Sequence, residues 1–244
     1  MTKLPELSDL MKAGVHFGHQ KSKWHPKMAP FIFTEKNGVH VVNLEETQKQ
    51  LEKAVGFVEG IVSGGGTVLF LSTKKQAKKI VLEAAKDCGM PYIISRWLGG
   101  TLTNASSVLN LVKKFRRLTA DKETGRLEKR YTKKEQLTIT REIARLDELV
   151  GGISTLDKVP DAIFLVDAKV EKTAVLEANK KNIPIIAIAD TNINPDRIDY
   201  PIPGNDDATS SIKLLTGVIA QAIKSAKPAS STPAAPAATP APKK

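Results

Sequence analysis

The chain has 244 residues, 37 lysines and arginines against 26 aspartates and glutamates, and a formal net charge of +11. That length suffices for one good core with an appendage, and the charge predicts a polyanionic partner, nucleic acid above all. The lone Cys88 excludes a disulfide framework or a cysteine zinc cluster within the chain. No apolar run approaches the ~20 residues of a membrane span. The N-terminus, MTKLPELSDLMKAG, carries acidic residues and no apolar segment, so neither a signal nor a transit peptide is expected and the predicted address is cytoplasmic.

Residues 5–14 predict a short helix with Leu7, Leu10 and Met11 as its apolar side. Gly14, Gly18, Pro26 and Pro30 then argue against regular structure over 13–33. This stretch interleaves Trp24 and His25 with Lys21, Lys23 and Lys27. Bases stack on aromatic faces while cations neutralise phosphates, so the pattern suits RNA. His16 and His19 read better as structural. Phe31–Phe33 and Val39–Val42 flank a turn with Asn37-Gly38, a hairpin signal. Residues 45–62 are an amphipathic helix, and 67–71 an apolar strand. Gly64-Gly65-Gly66 precedes that strand, whereas a phosphate loop follows one, so it reads as a helix stop. Ser72 or Thr73 is expected to cap a helix running to about Cys88, with Lys74, Lys75 and Lys78 near its start as candidate phosphate contacts. A strand over 92–95 leads into RWLGGTLTN at 96–104. Arg96 and the amides of Gly99 and Gly100 are placed there to hold an anion.

Residues 104–150 break the strand–helix alternation. Two apolar stripes, through Val108 and Phe115 and through Ile139, Ile143, Leu146 and Val150, follow coiled-coil spacing. They predict an antiparallel helical hairpin, an arm inserted in the α/β domain. From Leu111 to Lys134 there are ten basic residues against three acidic, a local excess of +7. Lys113, Lys114, Arg116 and Arg117 form the densest run, and Arg130 adds to it. Apolar runs at 162–166 and 185–189, joined by a helix over 171–181, must be parallel buried strands. A final strand near 200–203 and a helix from Asp206 or Asp207 to about Lys224 complete the pattern. The expected fold is α/β: a flavodoxin-like five-stranded parallel sheet with helices on both faces. Its domain comprises 1–103 and 151–225, the arm 104–150, and a disordered Pro/Ala-rich tail 226–244.

Several segments together carry a family resemblance: AGVHFGHQKSKWHPKM and the hairpin after it, RWLGGTLTN, PDAIFLVDAKVEKTAVLEANKKNIP, IADTN at 188–192 and IPGNDDA at 202–208. In order and spacing they resemble the bacterial form of small-subunit ribosomal protein S-two. The resemblance implies a non-catalytic constituent of the small ribosomal subunit that binds small-subunit (16S) rRNA and joins late in assembly. It implies contact with neighbouring small-subunit proteins and help in docking ribosomal protein S-one for mRNA capture. Self-association and membrane contact are not expected.

No cofactor is required by this reading. Asp190, Asp206 and Asp207 with His19 nevertheless form a donor set suited to a structural divalent cation, zinc or magnesium. The bland alternative makes the aspartates caps and loop anchors. A competing class is an enzyme using the 96–104 loop for a phosphorylated small molecule, although no nucleophile–base pair stands at recognisable spacing. A third is a protein-interaction hub.

Overall fold

A computed structural model describes residues 2–227. The chain opens with helix α1 (Leu7–Lys12), strand β1 (Phe17–Gln20), two short 3-10 turns, and the hairpin β2 (Ile32–Lys36) and β3 (Val39–Val42). Asn37 and Gly38 both have positive φ, as a tight hairpin turn requires. Next come α2 (Leu44–Ser63), β4 (Val68–Leu71), α3 (Lys78–Cys88) and β5 (Tyr92–Ile93). The inserted helices are α4 (Ala105–Glu123), α5 (Arg126–Arg130) and α6 (Lys133–Val150). The chain closes with β6 (Ala162–Val166), α7 (Lys172–Lys181), β7 (Ile185–Ala189), β8 (Tyr200–Pro203) and α8 (Thr209–Ala226). Apart from its first residues, the expected tail lies outside the described residues.

The main sheet is wholly parallel, in the order β5-β4-β6-β7-β8, which is the flavodoxin order. Every residue of β4, β6 and β7 is buried, as runs without a polar face must be. Alternate side chains feed two cores. Phe70, Phe164, Ile186 and Ile202 pack with α2, α3 and α8. Leu69, Leu71, Ile163, Leu165 and Ile185 pack with α7 and with the stripes of α4 and α6. The inserted helices therefore share a core with the sheet. Burying each such side chain contributes about 1.5–3 kcal/mol.

Four details depart from the sequence reading. Phe17–Gln20, expected to be irregular, is a strand, and with β3 and β2 it makes an antiparallel three-stranded sheet. Its pairing is non-local and its four residues show no alternation. Gly18 allows the close approach: a methyl there would lie 2.8 Å from Thr191 Cγ2 and 3.0 Å from the His40 carbonyl oxygen.

The helix expected from Ser72 starts only at Lys78. Thr73 does not cap it, because both its backbone N–H and its hydroxyl donate to Glu171, at 2.6 and 2.7 Å. Nor do Asp206 and Asp207 open the last helix. The Asn205 carboxamide accepts from the Asp207 and Ala208 amides at 2.8 and 3.0 Å, which frees both carboxylates for other partners. Finally, the arm holds a third, short helix, α5. After it, Thr132 and Glu135 form a reciprocal capping box that starts α6.

Candidate nucleic-acid interface

The amphipathic stripes of α4 and α6 bury Val112, Phe115, Ile143 and Leu146, so the charged positions between them must face outward. Lys113, Arg117 and Arg130 are exposed and have no ion-pair partner among the described residues. Their neighbours differ. Lys114 pairs with Glu142 across the helices. Arg116 donates to the carbonyls of Ser154 and Leu156 and to Asp157, stapling α4 to the loop before β6. One basic run in the sequence thus divides into outward charges and internal ties, because helical pitch turns adjacent residues to different faces.

In the N-terminal segment, Lys23 is exposed and unpaired among the described residues, while Lys21 pairs with Glu35 at 2.8 Å and Lys27 with Asp196. Trp24 is 36% exposed, with its ring 5.2 Å from that of His40. The His25 amide donates to the Thr191 carbonyl at 2.8 Å, fixing this segment on the carboxyl end of β7. Lys75 and Arg96 are exposed and Lys78 is half-buried.

The 96–104 loop does surround a negative charge, and that charge belongs to the chain itself. Glu177, on the buried stripe of α7, accepts from Trp97 Nε1 (3.1 Å), the amides of Gly100 (2.8 Å), Leu102 (3.0 Å) and Thr103 (3.2 Å), and the Thr103 hydroxyl (3.2 Å). Burial works to raise its pKa, but these donors outweigh burial and hold the carboxyl below its ordinary range. Of the Gly99 and Gly100 amides read from the sequence as an anion site, that of Gly100 is already taken by this internal anion, together with those of Leu102 and Thr103. The signal was present: a glutamate three residues after Ala174 sits on the face the helix must bury.

Lys74 also differs from its sequence reading. Its ammonium lies 3.3 Å from Asp167, 2.8 Å from Asp206 and 2.6 Å from Asp207. Asp167 adopts a left-handed conformation at the end of β6, and its other oxygen accepts from the amides of Lys169 and Val170. His19 joins the cluster, with Nδ1 2.9 Å from Asp190 and Nε2 3.7 Å from Asp207. The hydrogen bond to Asp190 raises the His19 pKa above its usual value. For Lys74, burial lowers the pKa, yet the bonds from Asp206 and Asp207 win and raise it. Asp206, wholly buried and flanked by Asp167 and Asp190, is pushed up to about 7 by burial first and by those carboxylates second.

The four residues expected to meet as metal donors do come together. His19, Asp206 and Asp207 offer donor atoms all within 4.8 Å of one another. Asp190 instead holds the far nitrogen of the imidazole. Asp206 Oδ2 is buried without a hydrogen-bond partner.

The family model described as ribosomal protein S2 matches residues 10–226. Similar curated proteins include small ribosomal subunit protein uS2 of Mycobacteroides abscessus, 51% identical over 89% of this chain and 78% of that one. Those of Nocardia farcinica and Rhodococcus opacus are each 50% identical over 89% of this chain, and over 76% and 75% of theirs.

Proposed function

The chain belongs to the ribosomal protein S2 family, structural rather than enzymatic constituents of the small ribosomal subunit, and we propose that its exposed cations seat it on small-subunit rRNA. One observation carries this reading. Lys113, Arg117 and Arg130 project from a segment with a local excess of +7 and have no carboxylate partner among the described residues. Lys23, Trp24, His25, Lys75 and Arg96 add to the footprint, and Lys21, Lys27 and Lys78 border it. Cations of this kind release counterions from phosphates, so affinity falls steeply with salt. Double-helical RNA is then recognised by shape more than by base edges. The chain joins the subunit late, after the RNA surface it recognises has formed. Filter binding of the full chain to small-subunit rRNA across a salt series tests this. Lys113→Ala with Arg117→Ala should weaken binding and flatten the log–log salt slope by about 2, and an unchanged slope would sink the reading.

In the same reading the protein helps dock ribosomal protein S-one. Phe17 and Phe33 on the small sheet are 54% and 73% exposed, and apolar surface of this kind is what protein partners cover. Phe33→Ser should lower recovery of S-one with subunits carrying the variant. Unaltered recovery removes that surface from the proposal.

A second reading concerns a structural divalent cation. His19 Nε2, Asp206 Oδ2 and Asp207 would hold it, with Asp190 orienting the imidazole as a carboxylate does beside many metal-bound histidines. The partnerless Asp206 oxygen supports this reading, and Lys74 is the competing cation in the same cluster. When bound, the ion would tie the N-terminal sheet to the start of α8 without catalysing anything. Metal analysis of chain purified without chelator should find a stoichiometric ion that His19→Ala removes; finding none refutes the site.

A further inference from the structure

In doubly wound sheets the ligand crevice lies beyond the carboxyl ends of the strands, at the point where strand order reverses. Here that point lies between β4 and β6, and it is filled by Lys74 and its aspartates. Space remains one strand further along. Beyond the ends of β6 and β7 lies a cavity of about 310 Å³. Its apolar walls include Val175, Ile193 and Ile198, each buried to within a few per cent. Every charged side chain lining it is a cation: Lys169, Lys172 and Arg197. All three are exposed, and none is in an ion pair among the described residues. His25 stands beside them, held by its backbone bond to Thr191. Asn192 also belongs to the lining, although its side-chain oxygen is shielded from solvent and accepts no hydrogen bond.

We propose that this cavity binds one nucleoside 5′-phosphate unit, supplied either by a free mononucleotide or by an unstacked nucleotide of single-stranded RNA. The volume is at the lower end of small-molecule pockets, roughly 300 Å³, and suits one nucleotide better than a dinucleotide. The cations meet the phosphate, and the aliphatic walls and the His25 ring meet the faces of the base. Only the RNA source rests on the rRNA-binding reading. The arm residues of that reading play no part in the cavity.

The test uses the full chain, adenosine monophosphate by calorimetry and a short unstructured RNA oligonucleotide by filter binding. The three cations are exposed, so Lys169→Ala/Lys172→Ala/Arg197→Ala should fold normally, and a thermal melt checks this. With all three removed, affinity for the bound probe should drop about tenfold or more, and the salt slope of oligonucleotide binding should flatten by roughly 2. A loss seen with the mononucleotide assigns the free ligand as source, and a loss confined to the oligonucleotide assigns RNA. The Lys113→Ala/Arg117→Ala variant should keep its mononucleotide affinity while losing rRNA, which separates the two readings. If neither probe binds, or if the triple variant binds both as the native chain does, the proposal is overturned.

Discussion

Replacing Glu177 by Gln would show what holds the 96–104 loop to α7. The substitution keeps size and one carbonyl oxygen, but exchanges a charged acceptor of five hydrogen bonds for a neutral amide whose nitrogen cannot accept. At least two of the five donors, drawn from Trp97, Gly100, Leu102 and Thr103, would then face a donor. Hydrogen bonds to charged groups are worth about 1.5–3 kcal/mol, and an orphaned buried donor costs about 1–3 kcal/mol. Glu177 is only 8% exposed, so solvent screening does little to soften the loss. A net cost of about 3 kcal/mol lowers the melting temperature by roughly 6–12 °C for a domain of this size. Thermal melts followed by circular dichroism, with Trp97 fluorescence as a local probe, measure it. Exchange protection of the Gly100, Leu102 and Thr103 amides should fall as well. The pH dependence follows from the lowered carboxyl pKa. The clamp's contribution is complete above the ordinary glutamate pKa and is lost as pH falls through the depressed folded value. The native chain should therefore lose more stability on acidification than the Gln variant. A variant melting within a degree of the native chain, with unchanged exchange, would refute the reasoning.

Arg116→Ala should behave unlike its neighbours, losing about 1–3 kcal/mol of stability with the bonds to residues 154–157 while the salt slope for rRNA moves less than with Lys113→Ala/Arg117→Ala; urea melts beside filter binding decide this. Gly152→Ala places a methyl 2.2 Å from the Tyr92 carbonyl oxygen, a clash with backbone that should cost more than about 3 kcal/mol and appear as poor soluble yield or a sharply lowered urea midpoint. Lys74→Met leaves Asp167, Asp206 and Asp207 without their shared cation and should destabilise by about 3–5 kcal/mol at neutral pH, and a native midpoint would show that another cation does the work. Phe164→Ala, at the ring pair with Phe70 whose centroids are 5.3 Å apart, should cost about 3–5 kcal/mol by the same measure.

The sheet was legible because its strands are short apolar runs that close with aspartate or turn residues, a pattern that survives without knowledge of neighbours. Ala162–Val166 and Ile185–Ala189 declare themselves parallel and buried through composition alone. β1 was not legible, since Phe17–Gln20 becomes a strand only by pairing with β3 and lying against Thr191. The same limit governed the charged residues. Sequence shows that Lys74 and Glu177 are ionic, but what each ion meets lies far along the chain, 74 residues from Glu177 at Thr103 and 132 from Lys74 at Asp206. Lys74 therefore read as a surface phosphate contact and is in fact caged, and the glycine loop read as open to an anion is closed by Glu177. The basic run of α4 read as one outward patch, whereas adjacent residues lie about 100° apart around a helix and Lys114 and Arg116 turn to internal partners.

The contacts of the N-terminal segment have a consequence for the order of events during synthesis. His19 and His25 are fixed to Asp190 and Thr191, and the Val15 carbonyl accepts from the Asn205 amide at 3.1 Å. β4, likewise, has β6 as one of its two neighbours, on the far side of the inserted helices. His19 and His25 meet these partners only once residues 190 and 191 have emerged from the ribosome. The small sheet of β1, β3 and β2 can therefore pair early, but its seating on the carboxyl end of the main sheet must wait for residues 190–205. Local helices such as α4 and α6 can form first, and closing the sheet around them is the slow, long-range step.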